Sequence, residues 1–206
     1  MTQSERQILY LASKNKHKLK ELSELIGNTK WDLRLATELD PNISWDETGK
    51  SFMENASIKA AAVKKLTGEA VLADDSGLSV ASLGGAPGIH SSRYAGENAS
   101  DDENTDKLLE EMSRFSDEER EAKFVCCIVF INDQGQRSIH YGECRGEITT
   151  EKIGNQGFGY DPIFRLNSGK TMAELSEEEK NSISHRSNAI GSWLRSMSPT
   201  DEEDSD

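Results

Sequence analysis

Residues 124–131, FVCCIVFI, form a continuous apolar run of strand length, and the turn-like NDQGQ separates them from a second strand-like stretch, RSIHYGECRGEI, at 137–148. Two long neighbouring strands, 122–131 and 137–148, are therefore expected, with enough apolar surface to bury a sheet. Adjacent Cys126 and Cys127 would face opposite sides of such a strand, which defeats a shared metal, and three cysteines cannot all pair within one chain. All three are expected to be reduced core residues. Only 34% of the 206 residues are apolar and the mean hydropathy is -0.68, so burial has to concentrate in such runs. The length suits one large domain, or two lobes sharing a core.

The remaining pattern alternates strands with helices. ILYLA (8–12) is a short apolar run, after which Leu19, Leu22, Leu25 and Ile26 recur at helical spacing until Gly27. WDLRLA (31–36) alternates as a second strand and leads into a loop with Pro41 and the acidic WDETGK. Ser51 and Glu54 make the S-x-x-E capping pattern for a helix that puts Phe52, Ala56, Ala60, Val63 and Leu66 on one face and closes at Gly68. AVLA (70–73) reads as a buried strand ending at DDSG, and 83–96 as a loop rich in Gly and Pro. Ser100 and Glu103 repeat the capping pattern ahead of Leu108, Leu109, Met112 and Phe115. A last helix, capped by Ser184, carries Ala189, Ile190, Trp193, Leu194 and Met197 on one side.

No stretch reaches the roughly 18 apolar residues of a membrane span, and MTQSERQ lacks the pattern of a signal peptide, so a cytoplasmic protein without membrane contact is expected. A net charge of -13 and a pI near 4.8 argue against a nucleic-acid polymer as partner, because affinity for a polyanion comes largely from Lys and Arg on its phosphates. Five of the acids lie in SPTDEEDSD (198–206), which is expected to be a disordered, solubilising tail outside a domain of residues 1–197.

Against that acidity, Lys14, Lys16, His17, Lys18 and Lys20 crowd the turn between the first strand and helix. Free N–H groups and the positive end of the helix dipole favour an anion there, and lysines make phosphate the natural guest; an ordinary solvated lysine face is the plain alternative. In LADDSG, one of two successive carboxylates, Asp74 or Asp75, must face inward or into a cleft and needs a cation, unless the segment is a simple turn cap. Glu47 could complete an oxygen-rich site for Mg²⁺, which takes a few carboxylates, waters and substrate phosphate oxygens; Glu54 competes but has a capping duty. In GFGYDP, Phe158 and Tyr160 can stack on a base or fill core, and His185 and Arg186 stand at a helix start. Signatures of P-loop, dinucleotide-binding and zinc-protease sites are missing from the sequence.

SKNKHKLKEL, DETGKSFMENASIKA, LADDSGLSVASLGGAPGIHSSRYAGE, GFGYDPIF and EEEKNSISHR, in this order and as far as about residue 195, resemble the ITP/XTP pyrophosphatase family. The resemblance implies an α/β fold with two lobes around a long mixed β-sheet flanked by helices, the active-site cleft lying between the lobes, and a homodimer. It implies Mg²⁺-dependent hydrolysis of purine nucleoside triphosphates with non-standard bases (ITP, dITP, XTP) to the monophosphate and pyrophosphate, which cleanses the nucleotide pool. Carried over by motif, Ser13, Lys14, Asn15, Lys16, His17 and Lys18 bind phosphate, with Lys59 a further contact. Asp75 is metal ligand and proton acceptor, Glu47 a second metal-side acid and Ser76 a substrate contact. Phe158, Gly159, Tyr160, Asp161, Lys180, His185 and Arg186 recognise the base. The family pattern has glycines where this chain has Lys14 and His17; if those glycines need positive φ or a close phosphate approach, the larger side chains carry a steric cost. A nucleotide-binding module without catalysis, a pyrophosphatase of the same fold for another modified nucleotide, and an interaction protein acting through the acidic tail are the alternatives.

Overall fold

The computed structural model describes residues 6–197; the acidic tail read from 198–206 lies outside the described residues. One six-stranded sheet runs in the order β2-β1-β3-β4-β5-β6, from β1 (Gln7–Leu11), β2 (Trp31–Leu35), β3 (Ala70–Val80), β4 (Glu121–Ile131), β5 (Arg137–Ile148) and β6 (Phe164–Arg165). β1 pairs in parallel with β2 and β3, and the pairs from β3 to β6 are antiparallel, so the sheet is mixed and the class is α/β. The helices are α1 (Lys16–Ile26), α2 (Phe52–Thr67), α3 (Asp101–Met112), α4 (Glu177–Ile183) and α5 (His185–Met197). Caps fix several starts: Ser51 accepts the Glu54 N–H at 3.2 Å, Ser100 and Glu103 cap each other, and Ser184 Oγ accepts the Ser187 N–H at 3.1 Å.

The long strands serve two cores. On one face of their first half, Leu22 and Ile26 of α1 meet Ala189, Ile190 and Trp193 of α5 over Leu72 and Ile128. The opposite face receives Ala56, Ala60 and Val63 of α2 against Val71, Ala73 and Cys127. Beyond them, Leu78 and Val80 enter a separate cluster with Leu108 and Met112 of α3, Phe124, Ile148 and Phe164. Residues 74–77 of β3 lie between these cores, where apolar packing leaves a cleft.

Three expectations need correction here. AVLA does not end at DDSG: β3 continues through it to Val80, because Asp74, Asp75, Ser76 and Gly77 pair in register with Ile128, Cys127, Cys126 and Val125. The β4 ladder supplies the backbone partners, and context overrides the turn preference of Asp, Ser and Gly. The loop at 83–96 contains a six-residue 3₁₀ segment, Gly88–Arg93, and α3 stops at Met112, short of Phe115. The short α4, capped by Ser176 and Glu179, adds an element that the periodicity did not mark. All three cysteines are free and buried, and burial pushes the Cys127 and Cys144 thiols up to about 11.

α5 lies so close on β5 that a Cβ on Gly142 would stand 2.1 Å from the His185 carbonyl oxygen and 2.4 Å from the Ala189 nitrogen. This contact seats the first turn of α5 at the cleft. Gly142→Ala is expected to lower stability by about 1–3 kcal/mol through overpacking, read by urea denaturation; a variant as stable as the parent would show that the close approach is not needed.

Candidate active site

The basic turn is built by its own side chains. Ser13 Oγ accepts the Asn15 N–H at 3.1 Å, and Asn15 Oδ1 accepts those of His17 and Lys18 at 2.8 and 3.2 Å, so Asn15 caps α1. Among the described residues none but glycine has positive φ. Lys14 and His17 therefore sit in ordinary backbone, and the part of the expected steric cost that rested on positive φ does not arise.

The cap sends Lys18 inward to Asp74, which is fully buried. Asp74 also accepts the Cys126 S–H at 3.0 Å and the Ser76 hydroxyl at 3.2 Å, and the Arg186 Nε lies 3.5 Å away. Burial works to raise the pKa of this carboxyl, but Lys18 and Arg186 overcome it and hold the group far below the usual carboxylate range. Arg186 donates further to Ser76 Oγ at 2.9 Å and to Glu21 at 2.8 Å.

Asp75 turns to the opposite face of β3, as strand geometry requires. Its Oδ1 lies 2.5 Å from Lys59 Nζ, and the same ammonium is 3.2 Å from Glu47, which also faces Arg93 at 3.6 Å. Burial pushes the Asp75 carboxyl above its ordinary value in spite of Lys59. Glu47 is also desolvated, yet the Lys59 charge reverses that effect and keeps its pKa low. Burial disfavours the Lys59 charge, and Asp75 with Glu47 more than restores it. Asp75 is thus the carboxyl of this trio whose ionised form its surroundings disfavour.

At the other end, His185 is buried and stacked on Phe124 at 4.8 Å and 13°. Its Nδ1 has no hydrogen-bond partner among the described residues, and burial holds its pKa well below the ordinary value. Asp161 takes the Phe158 N–H at 2.9 Å and Lys180 Nζ at 2.7 Å, and Lys180 reaches Glu21 at 2.7 Å. These bonds tie the glycine loop to α1 and α4.

Of the predicted residues, Ser13, Lys14, Asn15, Lys18, Glu47, Lys59, Asp75, Ser76, Phe158, Gly159, Tyr160, Asp161, His185 and Arg186 line one cavity of about 340 Å³. Lys16, His17 and Lys180 do not: Lys16 is exposed on α1, while His17 and Lys180 border a neighbouring groove. Glu54 accepts the Lys50 N–H at 2.6 Å and stays at the head of α2. Sequence reasoning missed Trp45, whose ring faces Lys14 Nζ at 5.7 Å, as well as Arg93, Ser91 and the anchoring Glu21. Trp45 stands two residues before Glu47, and an extended spacing was the available signal.

An α/β sheet with lysines and carboxylates gathered at mid-strand, beside an aromatic pocket, defines a class of phosphate-ester or anhydride-binding proteins. The chain belongs to the Ham1 family, whose profile matches residues 9–195. It is 46% identical over 187 residues to the dITP/XTP pyrophosphatase of Salmonella typhimurium, covering 89% of this chain and 94% of that one. With that of Clostridium perfringens it shares 44% over 187 residues, covering 87% and 92%. A HAM1 protein from Coxiella burnetii superposes with a TM-score of 0.83 at 44% identity over 92% of this chain and 98% of that chain. The Staphylococcus aureus Ham1 protein gives 0.82 at 41%, over 92% and 99%.

Replacing Asp74 by Asn leaves Lys18 without its counter-charge and Arg186 with Glu21 alone, at an expected loss of about 3–5 kcal/mol near neutral pH. A carboxyl whose folded pKa is depressed contributes stability above its unfolded pKa and loses it as the pH falls toward the folded value. The gap between parent and Asp74→Asn should therefore narrow as the pH drops through about 4. Denaturation curves at pH 7, 5 and 3 measure it, and a pH-independent gap would contradict the assignment.

Proposed function

We propose that the protein hydrolyses purine nucleoside triphosphates with non-standard bases, ITP, dITP and XTP, to the monophosphate and pyrophosphate. The observation that carries this reading is that Lys18, Lys59 and Asp75 border one cavity in a chain 46% identical to a dITP/XTP pyrophosphatase. Mg²⁺ suits the donor set, because Glu47 and Asp75 converge on one point, Lys59 Nζ, and offer hard oxygens beside a cavity open to water. These two carboxylates would hold it, and its charge would neutralise phosphate oxygens.

With Glu47 and Asp75 holding such an ion, the Lys59 ammonium would be free for phosphate. Ser13, Lys14 and Lys18 surround the rest of the chain of phosphates. Asp75 takes the proton of the water that attacks the α-phosphorus; the bond from that phosphorus to the bridging oxygen breaks, and pyrophosphate leaves. The Arg186 guanidinium, a donor only, and His185 with its proton on the unpaired Nδ1 would favour a purine with a 6-keto oxygen, since an adenine amino group would leave those donors unmatched. The working form is a homodimer in the cytoplasm. No described helix is long and apolar enough to cross a membrane, and Tyr141 and Ile139, exposed on the outer face of β5, offer an apolar patch to a second copy.

Asp75→Asn keeps shape and removes the base, so pyrophosphate release from ITP should fall by about 10²–10⁴ in a protein that still unfolds cooperatively, with Glu47 left as the partner of Lys59. Near-normal turnover would remove Asp75 from the mechanism. Assays of ITP, dITP, XTP, GTP and dTTP with Mg²⁺ titrated from zero should give turnover that requires the metal and favours the first three. Binding of ITP without release of pyrophosphate would instead identify a non-catalytic module.

A further inference from the structure

Phe158 stands on a glycine hinge: Gly157 and Gly159 on either side have φ of +77° and +61°, values that other residues rarely adopt. Its backbone is fixed, the N–H bonded to Asp161 and the following Gly159 N–H to Asp101 at 2.7 Å. The ring is half-buried and forms the wall between the cavity and the neighbouring groove, since both are lined by it. What sets the orientation of that wall must therefore be its side-chain contacts.

Lys180 and Arg186 place cations over the ring at 4.9 and 5.2 Å, but both are already bound to carboxylates. The third contact is His17, stacked at 5.4 Å between centroids with 23° between planes. His17 borders the groove and not the cavity, so it touches the face of the wall turned away from the site. Its own backbone N–H is fixed by Asn15, which holds the main chain of His17 at the first turn of α1.

We propose that His17 is a positioning residue: from outside the cavity it braces Phe158 as the wall against which the base packs, and so sets affinity for the nucleotide and not the rate of the chemical step. The proposal rests on the function given above. A ring left unbraced spends part of its time turned into the groove, and apparent affinity falls by the fraction of protein in the competent form. Turnover of bound substrate is untouched, which is the signature of a lost uniform binding contribution.

His17→Ala keeps the helix and removes the ring; His17→Phe keeps a ring for stacking and removes the nitrogens. His17→Ala should raise KM for ITP about two- to tenfold, the range that one aromatic pair supplies, with kcat and melting temperature close to the parent, and His17→Phe should restore the parent KM. An unchanged KM in His17→Ala, a His17→Phe variant as poor as His17→Ala, or a loss confined to kcat would overturn the brace. A second readout needs no turnover. In the free protein the imidazole proton resonances of His17, assigned by their absence in His17→Ala, should be shifted by the Phe158 ring current and move back in Phe158→Leu; identical resonances in both would overturn the stacking. If the parent released no pyrophosphate from ITP, the function above would fall while this spectrum still decided the brace.

Discussion

The site depends on one buried carboxylate. Asp74 lies in the middle of a sheet with no access to water, an environment in which an unpaired charge is strongly unfavourable. Its partners come from distant parts of the chain, Lys18 from the first turn of α1 and Arg186 from the first turn of α5. Apolar packing already lays these helices side by side, through Leu22 and Ile26 against Ala189, Ile190 and Trp193. The charge adds what packing does not specify: it sets where along β3 both helices must begin. Their N-termini, the positive ends of two dipoles, thereby converge on the strand segment that carries Asp75 and Ser76.

That segment is free for chemistry because the long strands are divided between two cores. Residues up to Ala73 are held by α1, α2 and α5, and residues from Leu78 onward by α3 and the β6 region. Neither core claims the four residues between. Since neighbours on a strand point to opposite faces, Asp74 can anchor the helices while Asp75 faces Lys59 and Glu47. Two identical side chains in sequence thus acquire opposite pKa shifts, one held ionised by two cations and one pushed upward by burial.

Much of this was legible in the sequence. The hairpin of β4 and β5, the capped α2 and α3, and the gathering of the basic turn, DDSG and the last helix around one cavity follow from periodicity, caps and motifs. The end of β3 was not legible, because Asp, Ser and Gly favour turns locally and only the β4 ladder keeps them extended. Nor could the sequence tell which aspartate faces inward, since strand alternation gives two faces without naming them. Lys14 and His17 were legible only in part, for a related reason. The glycine pattern suggested special backbone, whereas Asn15 capping keeps the turn in ordinary φ and both side chains reach across to aromatic rings, Trp45 and Phe158.

The acidity of the chain poses a problem for any anionic substrate. A net charge of -13 repels a polyphosphate at long range, so attraction has to arise inside the cleft. Salt screens exposed charges beyond about 8 Å at physiological ionic strength, and most of the acids are on the surface. Lys18, Lys59 and Arg186 are largely shielded from solvent, so their fields are screened much less within the cavity. Each is also held in place by a carboxylate, Asp74, Asp75, Glu47 or Glu21, and so is stationed before a ligand arrives. The same pairing limits attraction for anions that bring no cation of their own, because Lys18, Lys59 and Arg186 each already have a negative neighbour. On the proposed function, these ion pairs would favour a polyphosphate that brings its own cation over a bare one, at the place where β3 leaves its cores.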